Sequence, residues 1–321
     1  MVFRDRQGLR ETARQRLETA AFDPRKLALV YGGVSALIML VVTGMNFLLS
    51  EQIAGTGGLG GLGTRAALET AMQVLQTAAN LILPFWNMGY LYCVLKIVRG
   101  QRFDLKDLLA GFRNFAPVIR LTFLYSLQFF VLAFACISPC ILVYMMTPLS
   151  DPLVAIMEPL MVEGVEPVLD DATAVAATQA MLPMFILYAV VFLAVAAPRF
   201  YHYRMAFYAL LDDPQDGARM ALRRSTMMTH GKRLDIFKLD LSFWWFYVLD
   251  ALTLTLCYGD SILSLLGITL PISAEVSYFL FYALYLVAQL GLYVWVRNGV
   301  ECTYAAGYDA LCRAQTEAEN E

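Results

Sequence analysis

The chain has 321 residues, of which 59% are hydrophobic and only 16% charged, and its formal net charge is -3. A soluble domain of this length carries about a quarter charged residues, so the composition excludes an ordinary soluble globular protein, and the charge balance excludes nucleic-acid binding. Six scattered cysteines without paired CxxC spacing and two isolated histidines, His202 and His230, exclude a disulfide framework or zinc centre, and imply no metal and no cofactor.

Residues 1–26 carry Arg4, Arg6, Arg10, Arg14, Arg16, Arg25 and Lys26 around a repeat of Leu9, Ala13 and Leu17. This pattern predicts a basic amphipathic helix lying on the inner leaflet of a membrane. No apolar core of a cleavable signal falls within this stretch, so the first span is expected to act as an uncleaved anchor. Asp23-Pro24 supplies a capping side chain and a first-turn proline, and Leu27 to Leu49 gives 23 uncharged residues. A helix needs ~20 residues to cross the hydrocarbon core, so 27–49 is span one. Gly58, Gly60 and Gly63 match GxGxxG literally but lie between two spans, with no strand before them, and are read as a turn rather than a nucleotide loop.

Span two, 71–95, contains Pro84 and the polar residues Gln73, Gln76, Asn80 and Asn87, a stripe expected to face other helices because lipid offers no hydrogen bonds. A basic stretch follows, with a short amphipathic helix from Asp104 to Phe112 capped by Asp104. Span three, 121–145, holds Gln128 and Pro139. An acidic outer loop over 146–179 carries Asp151, Glu158, Glu163, Glu166, Asp170 and Asp171, and span four covers 180–198. Asp213-Pro214 is expected to start another helix that ends at Gly231. Spans five and six are placed at 239–258 and 276–296, and 312–321 forms an acidic tail.

Between Arg120 and Arg199 the chain runs 78 residues without Lys or Arg, and between Lys238 and Arg297 another 58. With both termini cytoplasmic, 23 of the 24 Lys and Arg residues lie inside and only Arg65 outside. The fold class expected is therefore all-α: a polytopic membrane protein with about six transmembrane helices over 27–311, located in the cell membrane.

Chemistry is sparse. Asp240 starts the expected fifth span among bases, where a cap or ion pair accounts for it. Asp250 lies about 15 Å deeper, with no Lys or Arg in any span to meet it, and is expected to be protonated or bonded to the span-two amides, Gln128 or Gln289. Asp250, Asn80, Asn87, Gln128 and Gln289 thus form the candidate intramembrane polar site. Cys136 and Cys140, one turn apart, are read as packing residues. No catalytic set is visible, so no enzyme activity is expected. Arg219, Arg223, Arg224, Lys232 and Arg233 form a candidate basic surface, with the anionic inner leaflet as its partner, or a protein on the cytoplasmic side.

The stretch Arg223 to Phe246, RRSTMMTHGKRLDIFKLDLSFWWF, carries Gly231, Lys232, Asp240 and Ser242 in a turn that leads into Leu-Asp-Leu-Ser-Phe. It resembles the signature of a bacterial membrane family known as domain of unknown function 975. Further similar elements are Gly89-Tyr90, Gly111-Phe112 with Phe115, Tyr203 through Asp213-Pro214, and Thr303-Tyr304-Ala305-Ala306 with Tyr308 and Leu311. The resemblance implies a helical integral membrane protein and no activity. Two functional expectations follow from the residues: a non-enzymatic scaffold contacting lipid or a partner, and, as the alternative, a small transporter using the polar site around Asp250.

Overall fold

The computed structural model describes residues 3, 5–55, 62–155, 171–259, 262–263 and 272–320, and these contain helices and no strand. Gly58 and Gly60, with the acidic residues Glu158, Glu163, Glu166 and Asp170, lie outside the described residues. Among the described residues five helices are long and apolar enough to cross a membrane, six if one bent pair forms a single span. Side chains such as Leu37, Phe130, Leu193 and Val287 are more than half exposed. Apolar surface on that scale suits hydrocarbon rather than water.

The first unit comprises Met1–Leu121 and Met205–Glu321. It opens with α1 (Arg6–Glu18), capped by Asp5, whose carboxylate accepts from the Gly8 N–H at 2.9 Å. Leu9 and Ala13 are buried as α1 packs on the C-terminal helix. The stripe expected to lie on lipid is therefore covered by the chain itself, because the last helix presents a matching apolar face that shields it from water. Helix α2 (Pro24–Gly55) begins where Asp23 accepts from the Arg25 N–H at 2.9 Å, and packs along α3 (Leu62–Val98). Both outrun the expected spans at their ends.

A 3-10 turn (Leu105–Leu109) and α4 (Ala110–Arg113) fold back onto α3. A Cβ on Gly89 would collide with the Leu108 carbonyl, and one on Gly111 with the Phe85 carbonyl. Only hydrogen at both positions lets the two backbones approach this closely. Helix α5 (Phe115–Met145) starts in this unit and continues in the second.

In the second unit, Thr122–Arg204, most of α5 is accompanied by α6 (Asp171–Tyr203). Leu132, Cys136 and Ala196 form a small buried cluster with Phe129, Tyr188 and Phe192 packed against it. Cys140 is buried too, so both span-three cysteines serve packing. The Tyr144 hydroxyl donates to the Ala180 carbonyl at 2.7 Å, tying the two helices together.

Back in the first unit, α7 (Ala206–Asp212) ends at Asp213, whose extended backbone follows from the proline after it. The next helix, α8 (Gly217–Thr229), therefore starts three residues later than Asp213-Pro214 suggests, after a turn. It ends as expected: Gly231 has φ +73°, a left-handed conformation that suits glycine. The expected fifth span divides into α9 (Arg233–Leu241) and α10 (Trp244–Leu256), bent by 59°. The Ser242 hydroxyl donates to the Leu239 carbonyl at 2.5 Å, a local bond that competes with helix continuation.

Helix α11 (Ala274–Leu292), capped by Ser273, does not stop at the membrane edge placed by the sequence. It passes through a π-helical turn (Tyr293–Arg297) into α12 (Asn298–Asn320), so the acidic tail is the last part of a helix. Tyr90, Met88, Leu108, Met205, Leu210, Tyr304 and Tyr308 are fully buried around α12 and the end of α3, which makes this end of the unit its true core.

Candidate functional site

Of the four residues of the expected polar intramembrane site that lie in the first unit, Asp250 and Gln289 meet, whereas Asn80 and Asn87 do not join them. Gln289, on α11, donates from Nε2 to Asp250 Oδ1 on α10 at 2.9 Å. That bond was among the expected ones, and it joins two adjacent helices. Gln289 Oε1 stays buried without a partner among the described residues. Asn80, expected to face other helices, is exposed instead, because the buried face of α3 at that level is given to Ala79. Gln128 belongs to the second unit, and its buried Oε1 has no partner among the described residues.

Asn87 is recruited elsewhere. Its Oδ1 accepts from the Tyr31 hydroxyl at 3.1 Å and from Arg297 Nη2 at 3.2 Å. The Arg297 guanidinium lies 4.4 Å from the Tyr293 ring centroid, 5.1 Å from that of Tyr31 and 5.6 Å from that of Tyr90. Three aromatic faces, one amide and Glu301, 3.9 Å from Nε, thus share one cation. Tyr90 donates to Asn298 at 2.8 Å, and Asn298 donates to the Pro24 carbonyl at 2.7 Å, which fastens the start of α2. Sequence reasoning missed this cage by treating Arg297 as the residue that returns the chain to water. The available signal was its spacing from Tyr293 and Glu301, which lie four residues before and after it.

A second network lies further along α12. Asp212 accepts from Arg99 Nη1 at 2.6 Å and Nη2 at 2.9 Å, and from the Tyr308 hydroxyl at 2.7 Å. Arg99 Nε donates to Asp309 at 3.1 Å, and Asp309 also accepts from Arg313. The bonds to Asp212 outweigh the effect of burial and raise the affinity of Arg99 for its proton above its ordinary value. Asp107 shows the converse balance. Burial pushes its carboxyl up, but the bond from Lys96 at 2.9 Å, the Asp104 N–H and the charges of Lys96 and Arg113 hold it below the usual range.

The basic surface has a different character. Arg219 and Arg223 are exposed on α8, and Arg224, Lys232 and Arg233 are half-buried around the α8–α9 corner. Among the described residues no carboxylate lies within salt-bridge distance of any of the five, whereas Lys96, Arg99, Arg297 and Arg313 each have one.

Asp240 does not start a span or cap a helix. It is buried in the last turn of α9, where its carboxylate accepts from the Tyr247 hydroxyl at 3.0 Å across the bend. Ser242, at the bend, accepts from Arg10 Nη2 at its hydroxyl (2.7 Å) and its carbonyl (2.6 Å), and the Arg10 guanidinium lies 4.3 Å from the Phe243 ring centroid. The signature residues thus serve the α8–α9 turn and the α9–α10 bend, with Gly231 allowing the first and Asp240 and Ser242 holding the second. Among the described residues no group of His, Cys, Asp or Glu is placed to hold a metal ion.

No curated protein and no solved structure matches the chain. A family does: residues 1–289 match the one described as "Protein of unknown function (DUF975)", so the chain belongs to that family.

Proposed function

We propose that the chain is a non-enzymatic, multi-pass protein of the cell membrane, with both termini on the cytoplasmic side, whose basic inner layer engages anionic lipid. The observation that carries this reading is the unmatched charge on α8 and α9. Lys96, Arg99 and Arg297, packed inside the fold, are paired with carboxylates, while among the described residues Arg219, Arg223, Arg224, Lys232 and Arg233 are not. A base held near an anionic leaflet contributes about 1 kcal/mol, so five together form a substantial attraction. The transporter alternative needs a polar site able to exchange a ligand. The bond from Gln289 to Asp250 and the outward position of Asn80 favour the scaffold reading instead.

The test is lipid association measured with spin-labelled phosphatidylglycerol and phosphatidylcholine around the reconstituted full chain. The expected result is a preference for phosphatidylglycerol that falls when Arg219, Arg223 and Arg224 are all changed to Gln. Equal association of both lipids with the unaltered protein would overturn the reading and favour an acidic protein partner.

A further inference from the structure

The contact between α1 and the α9–α10 bend encloses more than a structural bond. A cavity of about 410 Å³ opens there, lined by Asp5, Arg6, Gln7, Arg10 and Ser242. Arg10 spends Nη2 on Ser242, and its buried Nε has no partner among the described residues. Arg6 is exposed and makes one long bond, 3.5 Å, to the Lys238 carbonyl. Among the described residues no carboxylate lies within salt-bridge distance of either arginine. Asp5, the one acid on the wall, turns Oδ1 to the Gly8 N–H. Two guanidinium groups against one carboxylate leave the cavity with a net positive charge. A half-buried cation without a counter-charge is costly, and an oxyanion carrying several acceptor oxygens is the chemistry that relieves it.

The position of the cavity is informative as well. Trp244 and Trp245 follow the bend directly and are 60% and 42% exposed. Tryptophans exposed at the start of an apolar helix settle at headgroup depth. The cavity beside them therefore opens at the level where lipid phosphates lie.

We propose that the Arg6–Arg10–Ser242 cavity binds a phosphate-type anion, supplied by a phospholipid headgroup or by free phosphate. Arg6 and Arg10 donate to its oxygens, the Ser242 hydroxyl holds the Arg10 fork in place, and the Phe243 ring supports the guanidinium from below. This site deepens the lipid-contact reading, but it is separate from the α8 surface and can fail independently of it.

The experiment uses the delipidated full chain in a neutral maltoside detergent, with two probes. Native mass spectrometry follows retention of added phosphatidylglycerol, and calorimetry follows inorganic phosphate. Five proteins are compared: unaltered, Arg6→Gln, Arg10→Gln, Arg14→Gln as the control on an exposed base outside both surfaces, and an α8 variant with Arg219→Gln and Arg223→Gln. The expected result is a loss of about tenfold or more in phosphatidylglycerol affinity for each cavity variant, with the control unchanged, since charge-assisted bonds of this kind are lost whole. If phosphate affinity falls in the cavity variants while phosphatidylglycerol affinity does not, the site stands and its ligand is the free anion. Affinity for both probes unchanged in Arg6→Gln overturns the proposal. Arg10→Gln also loses the hold on Ser242, so if that variant fails to accumulate, Arg6→Gln alone decides. Dependence on the α8 bases with none on Arg6 leaves the surface reading intact and sinks the cavity. The reverse pattern sinks the surface reading and keeps the cavity.

Discussion

Changing Arg99 to Met and Asp212 to Asn, singly and together, measures how strongly the second network couples α3 to α7. The Arg99 side chain is 27% exposed and that of Asp212 16%, and the pair is bidentate. An exposed helical pair such as Arg14–Glu18, with side chains 81% and 62% exposed, should be worth about 0.3–0.5 kcal/mol. Breaking a fully buried pair costs about 3–5 kcal/mol. Arg99 is only partly covered and keeps Asp309 when Asp212 is lost, so the coupling should fall between those bounds, at about 1–2 kcal/mol. Unfolding of the four proteins by denaturant in mixed micelles, followed by tryptophan fluorescence, yields the coupling directly. The same cycle on Arg14 and Glu18 is the internal standard. Coupling at Arg99–Asp212 no larger than at Arg14–Glu18 would refute the reasoning that partial burial strengthens this pair.

Gly89→Ala should destabilise the fold by about 1–3 kcal/mol in the same assay, because the added methyl meets the Leu108 backbone and not a movable side chain. Asp250→Asn keeps the shape that receives Gln289 and should cost only about 0.6 kcal/mol, with membrane abundance unchanged. Loss of a pH-dependent flux in that variant at normal stability would promote the transporter alternative. The Asp107 carboxyl is lowered in the folded state, so its contribution is fully present above about pH 3.9 and is lost as pH falls through the depressed value. An Asp107→Asn variant should show a flatter acid limb of stability than the unaltered protein. A single cysteine at Gln52 should react with an impermeant maleimide in whole cells and one at His230 only after lysis; labelling of His230 in whole cells inverts the proposed topology.

The spans were legible because apolar runs of this length have a single physical use, and the cap at Asp23 and the stop at Gly231 because their local chemistry is short-range. What the sequence concealed were pairings between distant segments. Nothing near Leu9 and Ala13 reveals that α12 covers them, and a lipid surface would accept the same stripe. The bend at Ser242 was hidden by the apolar run Phe243–Leu249 that follows it. Asn80 and Asn87 sit seven residues apart, nearly the same helical face, yet the first is exposed and the second meets Arg297, so a polar stripe alone does not say where its partners end. Arg297 was misplaced for a similar reason: a base at the end of an apolar run normally marks water, and here three tyrosines and Asn87 receive it instead.

The π-helical turn at Tyr293–Arg297 makes the chain unequally tolerant of two kinds of genetic change. The wide turn takes up one extra residue that would otherwise rotate everything beyond it by about 100°. A one-residue deletion within the turn closes it to α-helix and leaves Tyr304 and Tyr308 on the face they now bury. A one-residue insertion has no second wide turn to absorb it and would swing both tyrosines off that face by about 100°. This stretch of the gene is therefore more open to losing a codon than to gaining one.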